Sequence, residues 1–191
     1  ESDLEDLETV LEQAHPGIAY TLGTFTATMT ENGSVGAQAL FYRSSDVVEI
    51  TPGHDDVFTG AGRNTDRWQL RLSGYEFDLF VYSAHLKAGQ SSSFEDERAD
   101  GAEAIRANAA GLSADAHVIY VGDFNFYDSS EPGYEVLTQP GPKQGVDPLG
   151  SANWTGSSNA SKHTQSPRAT SGGGLVGGGL DDRFDQHLVT A

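Results

Sequence analysis

His117-Val118-Ile119-Tyr120-Val121-Gly122-Asp123-Phe124-Asn125 is the stretch from which the rest of the chain is read. Four apolar residues in a row, mostly β-branched or aromatic, predict a strand buried on both faces. Gly122 predicts a tight turn, and two polar side chains follow two positions apart. Residues i and i+2 of an extended segment point the same way, so Asp123 and Asn125 are predicted to face one pocket. In open α/β sheets the carboxyl end of a buried strand is where ligands sit. Gly122 to Asn125 alone fits a plain Asx turn equally well. Any chemistry must come from what else reaches that end.

Composition narrows the field. The 191 residues suffice for one domain with a sizeable core, and no linker or internal repeat divides them. The formal charge is −17, with eight arginines and three lysines (Lys87, Lys143, Lys162) against 28 acids. Such a surface repels a polyanion, so phosphate chemistry would need a divalent cation in the site. The acidic, lysine-poor balance suits a secreted or salt-tolerant protein. There is no cysteine, which excludes a disulfide framework and thiolate metal sites. No run approaches the ~18 consecutive apolar residues of a membrane span. No signal peptide is recognisable, and the start at Glu1 without Met predicts a processed chain or a fragment.

In chain order, Leu4, Leu7 and Leu11 predict an amphipathic helix over 1–14, ended by His15-Pro16-Gly17. Ile18 to Thr30 is β-prone and 31–34 is a turn. Strands are predicted at Val35–Tyr42 and Val47–Ile50, with a loop over 51–66. His54, Asp55 and Asp56 are consecutive, which is poor spacing for one metal ion. Trp68–Leu72 and Phe77–His85 read as a hairpin, and Phe94–Leu112 as a helix with Ala102, Ile105, Ala109 and Leu112 on one face. Asp128-Ser129-Ser130 is predicted to cap a short helix through Leu137. Residues 139–180 read as loop, and the glycine run 172–179 lacks the Lys-Ser/Thr of a P-loop. A strand is predicted within 181–191.

His85, Asp123 with Asn125, and Asp185 thus sit at the ends of three predicted strands that could share one sheet edge. An imidazole, carboxylates and an amide, without a Gly-x-Ser-x-Gly nucleophile motif, suit attack by water on phosphorus. The carboxylates would help hold a hard cation, and Asn125, which cannot titrate, would orient water or phosphate.

The ordered set Ser83-x-His85-Leu86-Lys87, Gly122-Asp123-Phe124-Asn125 and Asp182-Arg183-Phe184-Asp185 resembles the endonuclease/exonuclease/phosphatase superfamily, whose fold is that of deoxyribonuclease I. The Ala39-Leu40-Phe41-Tyr42-Arg43 stretch fits, and Gly122 to Tyr134 and Thr164 to Arg168 resemble extracellular bacterial members. The resemblance implies a single four-layer α/β/β/α sandwich domain, two packed sheets flanked by helices. It implies a Mg²⁺-dependent (or Mn²⁺- or Ca²⁺-dependent) phosphodiesterase, most simply a secreted nuclease, with nucleic acid or another phosphodiester as substrate. On this reading His85 stabilises the phosphate or protonates the leaving group. Asp123 and Asn125 contact metal, nucleophile and phosphate, and Asp185 orients a histidine near the C-terminus.

The family's Trp-Asn and Gln-Glu motifs are expected before Glu1 and its closing Ser-Asp-His beyond Ala191, so a domain partial at both ends is expected. Its open sheet edges would be covered by a partner chain or a further segment. His187, at i+2 from Asp185, does not stand in for the closing histidine. The alternatives are a non-catalytic module that keeps the phosphate pocket, or a lipid phosphodiesterase or phosphatase of the same family. His163 and Arg168 are candidates to line a substrate groove, and Lys87 to sense the phosphate.

Overall fold

The computed structural model describes residues 2–26, 38–151, 153–164, 168, 170, 179 and 182–190. Helix α1 (Ser2–Ala14) leads into a two-stranded antiparallel pair, β1 (Tyr20–Leu22) and β2 (Phe41–Arg43). Among the described residues the larger sheet has six strands: β3 (Val47–Glu49), β4 (Asp55–Val57), β5 (Thr65–Leu72), β6 (Asp78–His85), β7 (His117–Asp123) and β8 (Asp185–Val189). Its order is β3-β5-β6-β7-β8, with β4 also paired to β5. All pairs are antiparallel except β6 with β7, which run parallel because helix α2 (Ser92–Ala110) makes the crossover between them. Helix α3 (Pro132–Thr138) and two 3-10 segments (Thr51–Gly53 and Ser157–Lys162) complete the elements among the described residues.

The two faces of the sheet differ. One packs Phe80, Tyr82, Ala84, Val118 and Tyr120 against Ala102, Ile105 and Ala109 of α2, with Tyr134, Leu137 and Trp154 closing the layer. Each large side chain buried this way contributes about 1.5–3 kcal/mol. The other face carries a smaller cluster, Trp68, Leu70 and Val81, with Leu40 packed on it and Trp68 Nε1 donating to Thr24 O at 2.8 Å. The β1–β2 side therefore supplies the second layer, and the architecture is two sheets flanked by helices.

Several expectations are corrected by this arrangement. β7 is buried on both faces only in part: Val118 and Tyr120 are buried, whereas Ile119 and Val121 are half-buried on the less covered face. Gly122 is not a turn. The strand runs through it at φ 136°, and a Cβ there would lie 2.0 Å from Ala84 O on β6. Its role is close approach of two backbones. The supposed loop 51–66 holds a 3-10 turn and β4, and β2 takes in Arg43 rather than ending before it. Leu7 of α1 is largely exposed. Glu131, not the Asp128 cluster, precedes α3; Asp128 closes its own Asx turn onto Ser130 N–H. Trp154, read as part of a loop, is fully buried. Residues 27–37 of the predicted Ile18–Thr30 and Val35–Tyr42 segments, and the glycine run 172–178, lie outside the described residues.

Candidate active site

The register of the sheet brings the predicted residues together. His85 is the last residue of β6, Asp123 the last of β7, and Asp185 the first of β8, and they stand side by side as His85↔Asp123↔Asp185. Neighbours in register share a face, here the less covered one. Backbone bonds lace the three ends: Leu86 N–H donates to Asp123 O and Phe124 N–H to Phe184 O, both at 2.9 Å.

Asn125 also arrives, by a route other than the one read from sequence. The chain is no longer extended there; Asn125 has φ 53°, a left-handed conformation that Asn tolerates better than most residues. Its N–H donates to Asp123 Oδ1 at 3.1 Å, an Asx turn, and its Nδ2 donates to Leu86 O at 3.1 Å. The residue is 4% exposed, and its side-chain carbonyl oxygen can act only as an acceptor. The Asx turn and the candidate site are therefore the same structure.

His85 Nε2 lies 3.7 Å from Asp123 Oδ2, too long for a direct hydrogen bond but short enough for mutual influence. Burial, with the Arg63 guanidinium second, pushes the His85 pKa down against the pull of Asp123 and Asp185. Burial, followed by the opposing pull of His85 and the push of Asp185, leaves the Asp123 pKa raised. The site thus pairs a neutral imidazole with a carboxylate more basic than usual.

Arg63 was missed by sequence reading. It donates from Nη1 to Leu86 O at 2.8 Å and His85 O at 3.3 Å, and among the described residues it makes no ion pair with a carboxylate. A lone arginine inside Gly60-Ala61-Gly62-Arg63-Asn64 was the available signal. Arg183 does not pair with Asp185; it is buried in a bidentate pair with Asp147 at 2.8 and 2.9 Å. Lys87 pairs with Glu97 at 3.8 Å and His163 contacts Trp154 O, so neither faces the three strand ends directly.

Beside the site, on the same face of β4 and β5, lies a second polar group. His54 Nε2 is 2.5 Å from Asp66 Oδ1, and Asn64 donates to Asp56 at 3.1 Å. Asp66 is fully buried and its other oxygen has no hydrogen-bond partner. Burial pushes the Asp66 pKa up to about 6 despite the imidazole beside it. The folded state then binds the proton more tightly than the unfolded chain, so stability falls as pH rises from about 4 to 6. Between pH 4.5 and 7, urea unfolding should show wild type losing about 2 kcal/mol relative to Asp66→Asn. Parallel pH profiles for the two proteins would rule this out.

As a donor set for a cation, Asp123 and Asp185 stand in register at one sheet end and Asn125 is bonded to Asp123, so all three offer hard oxygens. Such a set fits Mg²⁺, which keeps several waters and needs only one or two carboxylates. Among the described residues no three acidic or imidazole side chains converge closely enough to enclose an ion by themselves.

No family model matches the chain, and no curated protein matches it. Solved structures do. An endonuclease/exonuclease/phosphatase family protein from Bacteroides thetaiotaomicron superposes with TM-score 0.67 at 14% identity, over 97% of this chain and 65% of its own. TDP2 of D. rerio in complex with a single-strand DNA product gives 0.63 at 17% identity, over 96% and 66%. A mannosyl-6-phosphatase from Bacteroides thetaiotaomicron gives 0.62 at 13% identity, over 97% and 67%. The chain has the fold of the endonuclease/exonuclease/phosphatase proteins and spans about two thirds of the length of these structures. Among the described residues no helix is long and apolar enough to cross a membrane.

Proposed function

We propose that this chain carries the catalytic core of a secreted, divalent-cation-dependent phosphodiesterase, most simply a nuclease that hydrolyses nucleic-acid phosphodiester bonds by in-line attack of water. The observation that carries the reading is the register His85↔Asp123↔Asp185, with Asn125 folded onto Asp123 at the same sheet end. Fold likeness to proteins that include a TDP2–DNA complex and a sugar phosphatase is consistent with phosphate ester substrates.

Asp123 and Asn125, with Asp185 adjacent, would hold Mg²⁺ or Mn²⁺. When bound, such an ion polarises phosphoryl oxygens and lowers the pKa of its water. Asp123, more basic than an ordinary carboxylate, would orient the attacking water and take up its proton. Asn125 would present its carbonyl oxygen as a fixed acceptor for that water. His85, neutral at pH 7, would donate a ring N–H to the charge that builds on phosphorus. Arg63, held by two carbonyls and unpaired with a carboxylate among the described residues, would be the cation facing the phosphate in an otherwise acidic protein.

Cleavage of plasmid DNA and of bis(p-nitrophenyl) phosphate should require Mg²⁺ or Mn²⁺, stop with EDTA, and be lost in His85→Ala. Undiminished cleavage in a folded His85→Ala protein would sink the assignment, and cleavage in EDTA would remove the metal from it. A second reading, a phosphate-binding module without turnover, is favoured by the small number of convergent metal ligands. Mg²⁺-dependent phosphate binding with no hydrolysis would select it.

A further inference from the structure

The polar group at the base of the β4–β5 hairpin takes no part in the chemistry proposed above. Asp56 and Asp66 stand directly opposite each other across this antiparallel pair. Like charges so placed repel, and burial makes the repulsion costlier. Three oxygens of the group lie out of contact with solvent and have no hydrogen-bond partner: Asp56 Oδ1, Asn64 Oδ1 and Asp66 Oδ2. Asn64 gives its Nδ2 to Asp56 Oδ2 at 3.1 Å, so toward the group it adds an acceptor and no further donor. Burial, with Asp56 adding to it, outweighs the pull of His54 and of the Arg67 N–H on the fully buried Asp66 carboxyl.

Charge decides what belongs there. His54 can neutralise one carboxylate, and its Nε2 lies 2.5 Å from Asp66 Oδ1. Among the described residues no arginine or lysine pairs with Asp56 or Asp66. Arg67, whose neighbours Asp66 and Trp68 point the opposite way, reaches Asn108 and Asp55, and Arg63 reaches the carbonyls of His85 and Leu86. Ordered water would fill the missing hydrogen bonds but leave the second charge in place. A cation answers both.

We propose that Asp56, Asn64 and Asp66 hold a hard divalent cation, with His54 fixing the Asp66 carboxylate from its other oxygen. Two carboxylates and an amide oxygen suit such an ion, which accepts carbonyl as well as carboxylate oxygens and completes its shell with water. Among the described residues no three acidic or imidazole side chains enclose an ion, so the amide and water are needed here. A hydrogen-bonded group behind a ligating carboxylate is the usual support for such a site. The ion lies one step down the sheet from the candidate catalytic row, since Asp66 is opposite Ser83, two residues before His85 on β6. It ties β4 to β5 at the base of the hairpin whose connection carries Arg63, and it stands independently of the phosphate chemistry.

The test is calorimetric titration of EDTA-stripped protein with Ca²⁺ and with Mg²⁺ at neutral pH, for wild type, Asp66→Asn, Asp56→Asn and Asp123→Asn. Asp66→Asn should weaken one binding event by at least ~10-fold, the lower end of the loss when even a group supporting a ligand is removed. Asp56→Asn, at a half-buried position, should show the same loss if Asp66→Asn fails to fold. Asp123→Asn should keep this event, and the ion should raise its melting temperature but not that of Asp66→Asn. A folded Asp66→Asn or Asp56→Asn protein that binds both ions as wild type does would overturn the site. So would loss of the same event in Asp123→Asn, which would move the ion to the catalytic row. Binding that Asp123→Asn leaves wholly unchanged, while Asp66→Asn removes it, would overturn the catalytic metal and leave this site standing.

Discussion

Asp123→Ala is expected to lower metal-dependent phosphodiester hydrolysis by roughly 10³-fold, the mid-range of the loss when a general base or an electrostatic stabiliser is deleted. The alanine would also remove the acceptor for Asn125 N–H, so the informative partner is Asp123→Asn. An asparagine keeps an oxygen for that bond and removes only the charge. Loss of hydrolysis in Asp123→Asn with an unchanged melting temperature would assign the effect to the carboxylate. Retained hydrolysis would reduce Asp123 to a turn residue. The pH dependence adds an independent readout. The raised Asp123 pKa puts its ionisation on the acid limb of the rate profile, so wild-type activity should climb as the carboxyl loses its proton. His85, its pKa pushed down by burial and by Arg63, is already neutral above that region and should impose no fall in rate between pH 7 and 8. A steep loss over that interval would mean that protonated His85 is the required form.

The candidate site was legible in sequence because His85 and Asp123 close β-prone runs and Asp185 opens one, which parallel β6 and β7 and antiparallel β8 bring to one end of the sheet. Register did the rest: once β6, β7 and β8 are neighbours, His85, Asp123 and Asp185 cannot avoid one another. Asn125 was read at the right place for the wrong reason, since a strand was assumed to continue where an Asx turn had begun. β4 and Arg63 escaped because Gly, Asp and Asn dominate 51–66 and no apolar alternation marks a strand that is three residues long. The His54–Asp66 contact was equally invisible, because it depends on β4 lying antiparallel to β5 with Asp56 opposite Asp66. Trp154 was assigned to loop by the composition around it, whereas its burial comes from packing against Tyr134 of α3 and under the Arg183 guanidinium.

Arg98 is the residue whose loss should destabilise the fold most. It is fully buried on α2, a helix read from sequence as presenting Ala102, Ile105, Ala109 and Leu112 to the core. Its guanidinium pairs with Glu131 at 2.8 Å and donates from Nη1 to Lys87 O at 2.9 Å and Gly89 O at 2.8 Å. Glu131 in turn accepts the Tyr127 N–H at 2.7 Å. One ion pair therefore joins α2, the entry to α3, the loop after His85 and the loop after Asn125. Arg98→Ala leaves a buried carboxylate without its counter-charge and two carbonyls without that donor, a change expected to cost about 3–5 kcal/mol in urea unfolding. Glu131→Gln, which keeps the shape and an acceptor, should cost less. Removing both charges in Arg98→Met/Glu131→Leu should recover much of the stability, because desolvating the pair offsets most of its attraction. The double variant would still lack the donors that hold the loops beyond His85 and Asn125, so its activity should fall even where its stability returns. A double variant that is both stable and fully active would show that the pair serves stability alone and that the site loops hold their places without it.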